Sequence, residues 1–203
     1  MAKAMSGQNT VTPSAEGILA SAKAAKTRGL PPLEKWNPPF CGDLDMHIRR
    51  DGTWFYQGTP IGRPELVKLF STILWREGDK YFLVTPVEKV GITVEDAPFV
   101  AVDFEAERKG RSQNLRFTTN LGDDALAGPD HPIRVERDPE TGEPAPYVLI
   151  RRNLEALIDR KSFYRLVDIG VHHEGWFGLW SGGVFFGIIP SDELPADSEP
   201  ADS

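Results

Sequence analysis

Asp45, His47 and Arg49 alternate along the chain before the dipeptide Asp51-Gly52, and Trp54 and Tyr56 alternate after it. Asp-Gly is the favoured dipeptide of a two-residue hairpin turn, and the simple register pairs Ile48 with Phe55, Arg49 with Trp54 and His47 with Tyr56. A bulged turn shifts every pair by one residue. In the simple register all five side chains share one hairpin face, where aromatic rings can stack a flat ligand and cations can pair an anion. The plainer alternative is a solvent face with Trp54 shielded by the Arg49 stem or by a neighbouring segment.

Other cations extend this reading. Arg63 precedes Pro64 at a helix start, where free backbone N–H groups favour anions, although Gly58 and Gly62 alone do not make a phosphate loop. Lys89 follows Glu88 in a strand, so the two point to opposite sides, and one must face inward or into a groove. Lys89 can bind phosphate there; otherwise it is a salt-bridged edge charge. Tyr164 completes the ligand-contacting set. Arg151, Arg152, Arg160, Lys161 and Arg165 make a basic stretch that reads as a solvated helix face.

Catalytic sets are not legible. Cys41 is a lone cysteine with no partner of recognisable spacing among His47, His131, His172 and His173, and it reads as a small hydrophobe. His172-His173-Glu174 lacks the spaced ligands of a zinc site, so neither a metal nor a cofactor is expected. Asp103 and Glu105 imitate an acid/base pair, but Arg116 on the next strand can neutralise them.

The elements that must position these residues follow from periodicity. Residues 14–26 propose a weak helix capped by Ser14, after a leader, so 1–29 forms a peripheral segment. Pro31, Pro32, Pro38 and Pro39 make residues 30–40 an extended strap anchored by Trp36. Leu44, Met46 and Ile48 alternate with polar residues as a half-buried strand, and Leu66, Leu69, Phe70, Ile73 and Leu74 give a helix over 64–75. Strands are expected at 81–85 and 87–94, then at 100–105 and 115–118, with 120–132 as a loop. Residues 133–137 and 147–151 flank a proline-bounded hairpin loop, and a helix is expected from Asn153 to Asp168. Trp176–Ser181 and 184–189 form a last hairpin across Gly182-Gly183, apolar on both faces. The chain thus reads as α+β, with hairpin, helix, strand and strand duplicated in an N-terminal unit (30–95) and a C-terminal unit (96–190), and a groove between them.

Composition bounds the function classes. The 203 residues are 40% hydrophobic and 26% charged, which is ordinary for a globular protein able to bury its own core. The formal charge is −7, and residues 191–203, read as a disordered tail, carry five acids and no base. The nearly neutral body argues against a nonspecific nucleic-acid binder. No apolar run approaches a membrane span and no signal peptide is visible, so a cytoplasmic location without membrane contact is expected.

The segments Pro38-Pro39-Phe40-Cys41-Gly42-Asp43-Leu44-Asp45-Met46, Asp51-Gly52-Thr53-Trp54-Phe55-Tyr56, Pro60-Ile61-Gly62-Arg63, Thr85-Pro86-Val87-Glu88-Lys89-Val90-Gly91 and Trp180-Ser181-Gly182-Gly183 together resemble the bacterial domain-of-unknown-function family 1285. The resemblance runs from about residue 30 to 189. It implies a duplicated α+β fold whose second half is similar to pleckstrin-homology-like open barrels, and signal transduction through a small, nucleotide-like ligand. The leading expectation is therefore a cytoplasmic ligand-binding or regulatory protein holding a nucleotide-like or phosphorylated small molecule between its units. The alternatives are a hydrolase or transferase acting on a phosphorylated small molecule, and a homodimerising module built on Trp176, Phe177, Trp180, Phe185 and Phe186.

Overall fold

The computed structural model describes residues 13–25 and 29–194; the leader before 13 and the tail beyond 194 lie outside the described residues. The strands are β1 (Phe40–Ile48), β2 (Trp54–Tyr56), β3 (Thr59–Pro60), β4 (Leu74–Glu77), β5 (Lys80–Val84), β6 (Lys89–Val94), β7 (Phe99–Glu107), β8 (Asn114–Thr119), β9 (Asp124–Leu126), β10 (Ile133–Arg137), β11 (Pro144–Arg151), β12 (Leu154–Ile158), β13 (Val171–His173), β14 (Trp176–Ser181) and β15 (Val184–Pro190). The α-helices are α1 (Ala15–Ala24), α2 (Pro64–Thr72) and α3 (Arg160–Asp168). Short 3₁₀ turns add Leu33–Lys35, Gly110–Ser112 and Ser191–Glu193, the last within the stretch expected to be disordered.

Two six-stranded sheets share one strand order. The first runs β3-β2-β1-β6-β5-β4, and the second, read from its other edge, runs β9-β8-β7-β12-β11-β10. Each is a pair of three-stranded meanders joined through the first strand of one and the last strand of the other. β12 and β7 run parallel at that join, with Ala156 opposite Phe99. In the first sheet Lys89 N–H bonds Pro39 O and Glu95 N–H bonds Ile48 O, a parallel pattern as well. The protein is α+β and duplicated as expected, and its second sheet is a curled half-barrel. The matching segments, however, are β1–β6 and β7–β12, not the hairpin-helix sets expected from the sequence.

The compact units are Met1–His47 with Trp54–Thr93, and Ile48–Thr53 with Val94–Ser203. In the first, Leu44, Met46, Trp54, Phe70, Leu74 and Leu83 form a core beneath α2 and α1. Ser14 caps α1 as expected, its Oγ accepting from Gly17 N at 3.1 Å, and Ile18 and Ala22 are buried. The proline strap is held chiefly by buried Pro31 and Leu33, while Trp36 is half-buried. Helix α2 ends at Thr72 instead of 75, because Leu74 and Trp75 enter β4, where Leu74 pairs with Leu83.

The helix expected over 153–168 is a strand followed by a shorter helix. Arg152-Asn153 is a two-residue hairpin turn between Arg151 and Leu154, with Arg152 at φ 52°. Leu154, Ala156 and Ile158 then bury alternate side chains in β12. The helix begins only at Arg160, where the Asp159 carboxylate caps Ser162 N at 2.7 Å. The loop expected over 120–132 also contains β9, which pairs with β8.

Beyond β12, β13-β14-β15 form a separate three-stranded sheet. It docks on β8 through Ser181, whose Oγ accepts from Leu115 N at 2.8 Å and donates to Ala127 O at 2.7 Å. No helix among the described residues is long and apolar enough to cross a membrane.

Candidate functional site

The turn at Asp51-Gly52 is bulged. Gly52 N–H bonds Arg49 O at 2.9 Å, Arg49 N–H bonds Thr53 O at 3.0 Å, and Gly52 sits at φ 83°. Gln57 N–H accordingly bonds Asp45 O, one residue away from the simple register. This corrects the expected face, because a one-residue slip carries a strand's side chains across the sheet. Trp54 lands on the Met46 side, 1% exposed and stacked on Phe70 with centroids 6.4 Å apart. Asp45 remains exposed, and His47 is half-buried with its Nε2 unpartnered among the described residues. Tyr56 OH accepts from Ala15 N at 3.4 Å. The five residues therefore do not make one aromatic-cationic surface.

Arg63 is exposed at the N-cap of α2 and makes no side-chain cap bond. The Lys89 Nζ lies 3.2 Å from Glu77 Oε1 and 4.9 Å from the centre of the Phe82 ring, with 23% of the side chain exposed. Its charge is thus engaged by a carboxylate and a ring, the salt-bridged arrangement weighed for it above. Asp103 pairs with Arg165 of α3, not with Arg116, which stands opposite Glu105. The Arg165 guanidinium holds the Asp103 carboxyl below the usual carboxylate range.

Cys41, His131 and His173 have local structural partners, and the exposed His172 bonds Ser191 Oγ at 2.8 Å. The Cys41 thiol donates to Pro39 O at 3.4 Å, and His131 Nδ1 lies 2.9 Å from Leu149 O. The His173 ring stands 4.9 Å from Trp180 and 5.0 Å from Phe185. Among the described residues no group of three histidine, cysteine or acidic side chains could hold a metal.

The resemblance-bearing motifs also have structural reasons. Thr85 Oγ1 accepts from Glu88 N at 3.2 Å and closes the β5–β6 turn. A Cβ on Gly91 would clash with Asp43 Oδ1, so a larger residue there requires the Asp43 side chain to move. Asp51 Oδ1 accepts from Thr53 N at 2.9 Å, which lowers the pKa of this carboxyl.

A ligand-sized concavity lies in the second unit instead. A cavity of about 490 Å³ is walled by Arg50, Glu143, Leu157, Asp159, Arg160, Phe163 and Tyr164. A second, of about 380 Å³, includes Asp96, Glu136, Asp138 and Tyr147, and shares Arg50 and the Glu143-Pro144-Ala145 stretch with the first. Both are of the size that holds small molecules. Four elements build the larger one: the hairpin tip brings Arg50, the start of β11 brings Pro144 and Ala145, the end of β12 brings Leu157 and Ile158, and the first turns of α3 bring Arg160, Phe163 and Tyr164.

Within it Tyr164 is 55% exposed, and its hydroxyl accepts from Arg160 Nε at 3.0 Å. That bond raises the Arg160 pKa further. Arg50 Nε forms an ion pair with Asp96 Oδ2 at 3.1 Å while 61% of its side chain stays exposed. Two cations, an aromatic ring and two carboxylates, Glu143 and Asp159, thus share one wall with apolar Leu157, Ile158 and Phe163. Of the residues expected to bind ligand, only Tyr164 is in this wall. The sequence does not single out Arg50, and it presents Arg160 as part of a solvated helix face. The missed signal was Asp159, whose capping chemistry places 160–164 in the first turns of α3.

The chain's relatives carry the same description. The model described as "Domain of unknown function (DUF1285), N-terminal domain" matches residues 31–97, and "Protein of unknown function (DUF1285), C-terminal domain" matches 98–188. The crystal structure of a DUF1285 family protein from Silicibacter pomeroyi DSS-3 is 65% identical, with TM-score 0.82, covering 88% of this chain and 97% of that one. A second, from Shewanella baltica OS155, is 33% identical with TM-score 0.49, covering 62% of this chain and 91% of that one. No curated protein matches. With both halves matched in order and a relative of such identity along most of its length, the chain belongs to the DUF1285 family.

Proposed function

We propose that this is a cytoplasmic ligand-binding protein of regulatory kind, which holds a phosphorylated, nucleotide-like small molecule in the larger cavity of its second unit. The observation that carries the reading is the convergence of Arg50, Arg160 and Tyr164 on a cavity of about 490 Å³. Guanidinium groups pair phosphate oxygens through fixed forks of donors, and an exposed phenol ring offers a stacking face for a base. Half-buried Leu157 supplies apolar area that would be covered on binding. In this reading binding itself is the regulatory event.

The test is a thermal-shift screen of nucleotides and phosphorylated metabolites. A ligand at 100 times its Kd stabilises the folded state by about 2.7 kcal/mol, and Arg50→Ala or Arg160→Ala should remove that shift. A screen in which no compound moves the wild-type transition would sink the reading.

A further inference from the structure

Arg50 stands at the wall common to both cavities, yet 61% of its side chain is exposed. An exposed arginine samples many rotamers unless something holds it. Asp96 is the holder, its Oδ2 lying 3.1 Å from Arg50 Nε and its side chain only 18% exposed. Among the described residues this Oδ2 accepts no hydrogen bond, so the contact is an ion pair whose geometry depends on where the carboxylate is fixed.

Tyr147 fixes it. The hydroxyl of this buried residue donates to Asp96 Oδ1 at 2.7 Å. Burial and the neighbouring carboxylate push the phenol pKa up, which keeps the donor proton in place at ordinary pH. The Tyr147 ring is held in turn by the Arg134 guanidinium, 4.2 Å from the ring centre. Arg134 is anchored by both Glu155 oxygens, at 2.6 and 2.8 Å. From the other side, Arg50 N–H donates to Glu95 Oε2 at 2.8 Å and ties down the backbone of the hairpin tip.

We infer that Asp96 and Tyr147 are positioning residues, which set the Arg50 guanidinium for an anionic ligand in the larger cavity although neither lines that cavity. The inference rests on the reading of that cavity given above. Arg50 is thereby a preorganised anion contact, and ligand affinity depends on a tyrosine hydroxyl two groups removed.

The experiment uses the full chain and ADP as probe. Calorimetric titration of wild type, Arg50→Ala, Asp96→Asn and Tyr147→Phe is paired with ¹⁵N relaxation of the Arg50 Nε–H group in the unliganded proteins. Tyr147→Phe keeps the ring under Arg134 and removes only the hydroxyl. It should weaken ADP about five- to tenfold, the scale of one ordinary net hydrogen bond. It should also lower the Arg50 Nε order parameter below about 0.6, a change that mere loss of stability would not produce. An order parameter left at the wild-type value in both Asp96→Asn and Tyr147→Phe overturns the positioning claim. Wild type that does not bind ADP, or Arg50→Ala that binds it fully, counts against the cavity reading and takes the affinity claim with it. The order parameter then decides whether Asp96 and Tyr147 set Arg50 in the free protein.

Discussion

Ser181 joins a donor and an acceptor more than fifty residues away from it, and its worth is invisible along the chain. Its hydroxyl is fully buried between Leu115 N and Ala127 O. Ser181→Ala would strand both backbone groups away from water, so the midpoint of chemical unfolding should fall by the equivalent of about 1–3 kcal/mol. The adjacent Gly182 is held to its type for a second reason, with φ 57° and a would-be Cβ 2.8 Å from Ala127 O. The Trp180-Ser181-Gly182-Gly183 motif was legible as words, but the contact that explains it is tertiary. Trp54 teaches the converse: its type and strand were legible, while its face depended on one left-handed glycine at the turn. With Trp54 in the core, the expected ligand face disappeared, and the cations of interest became Arg50 and Arg160.

At the level of elements, capping and turn chemistry decided where sequence reading succeeded. Ser14 and Pro64 marked real helix starts, because a cap bond and a fixed φ are local properties. Asn153 misled, since the same residue type suits a helix cap and a two-residue hairpin turn, and only pairing with β11 distinguishes them. The β10–β11 loop offers a test of local chemistry beside the smaller cavity. Asp138 Oδ1 accepts from Glu140 N at 2.9 Å and Thr141 N at 2.8 Å, and these bonds lower its pKa from the usual 3.8. A depressed carboxyl contributes order that is complete above its unfolded pKa and is lost as pH falls through its folded one. The movement of the Thr141 amide that follows Asp138 should therefore have its midpoint below the ordinary aspartate value of about 3.9. A transition centred above pH 4 in an NMR titration would contradict this account.

For the molecule as a whole, α+β class and duplication were legible from composition and strand spacing, but the repeat was misaligned. The reason is physical: each sheet closes by a parallel pair between strands far apart in sequence, a contact that periodicity does not encode. The second unit is also discontinuous, because it counts Ile48–Thr53 among its residues. In it Asn120 Nδ2 reaches Gly52 O at 3.5 Å, and Arg50 pairs with Asp96. A fragment of residues 94–194 lacks both contacts. By circular dichroism it should unfold at lower denaturant than the fragment supplied with a tethered 48–53 segment, and equal midpoints would show the tip to be dispensable.

The parallel join within each sheet has a consequence for the order of assembly. Meanders are closed by short turns and can form as soon as they leave the ribosome, whereas β7 has no parallel neighbour until β12 has been made. Each sheet therefore waits, half built and with an open inner edge, for the last strand of its second meander. In the second unit, that strand runs straight into α3 and so into Arg160 and Tyr164. Completion of the second sheet and assembly of the cavity wall therefore depend on the same stretch of chain.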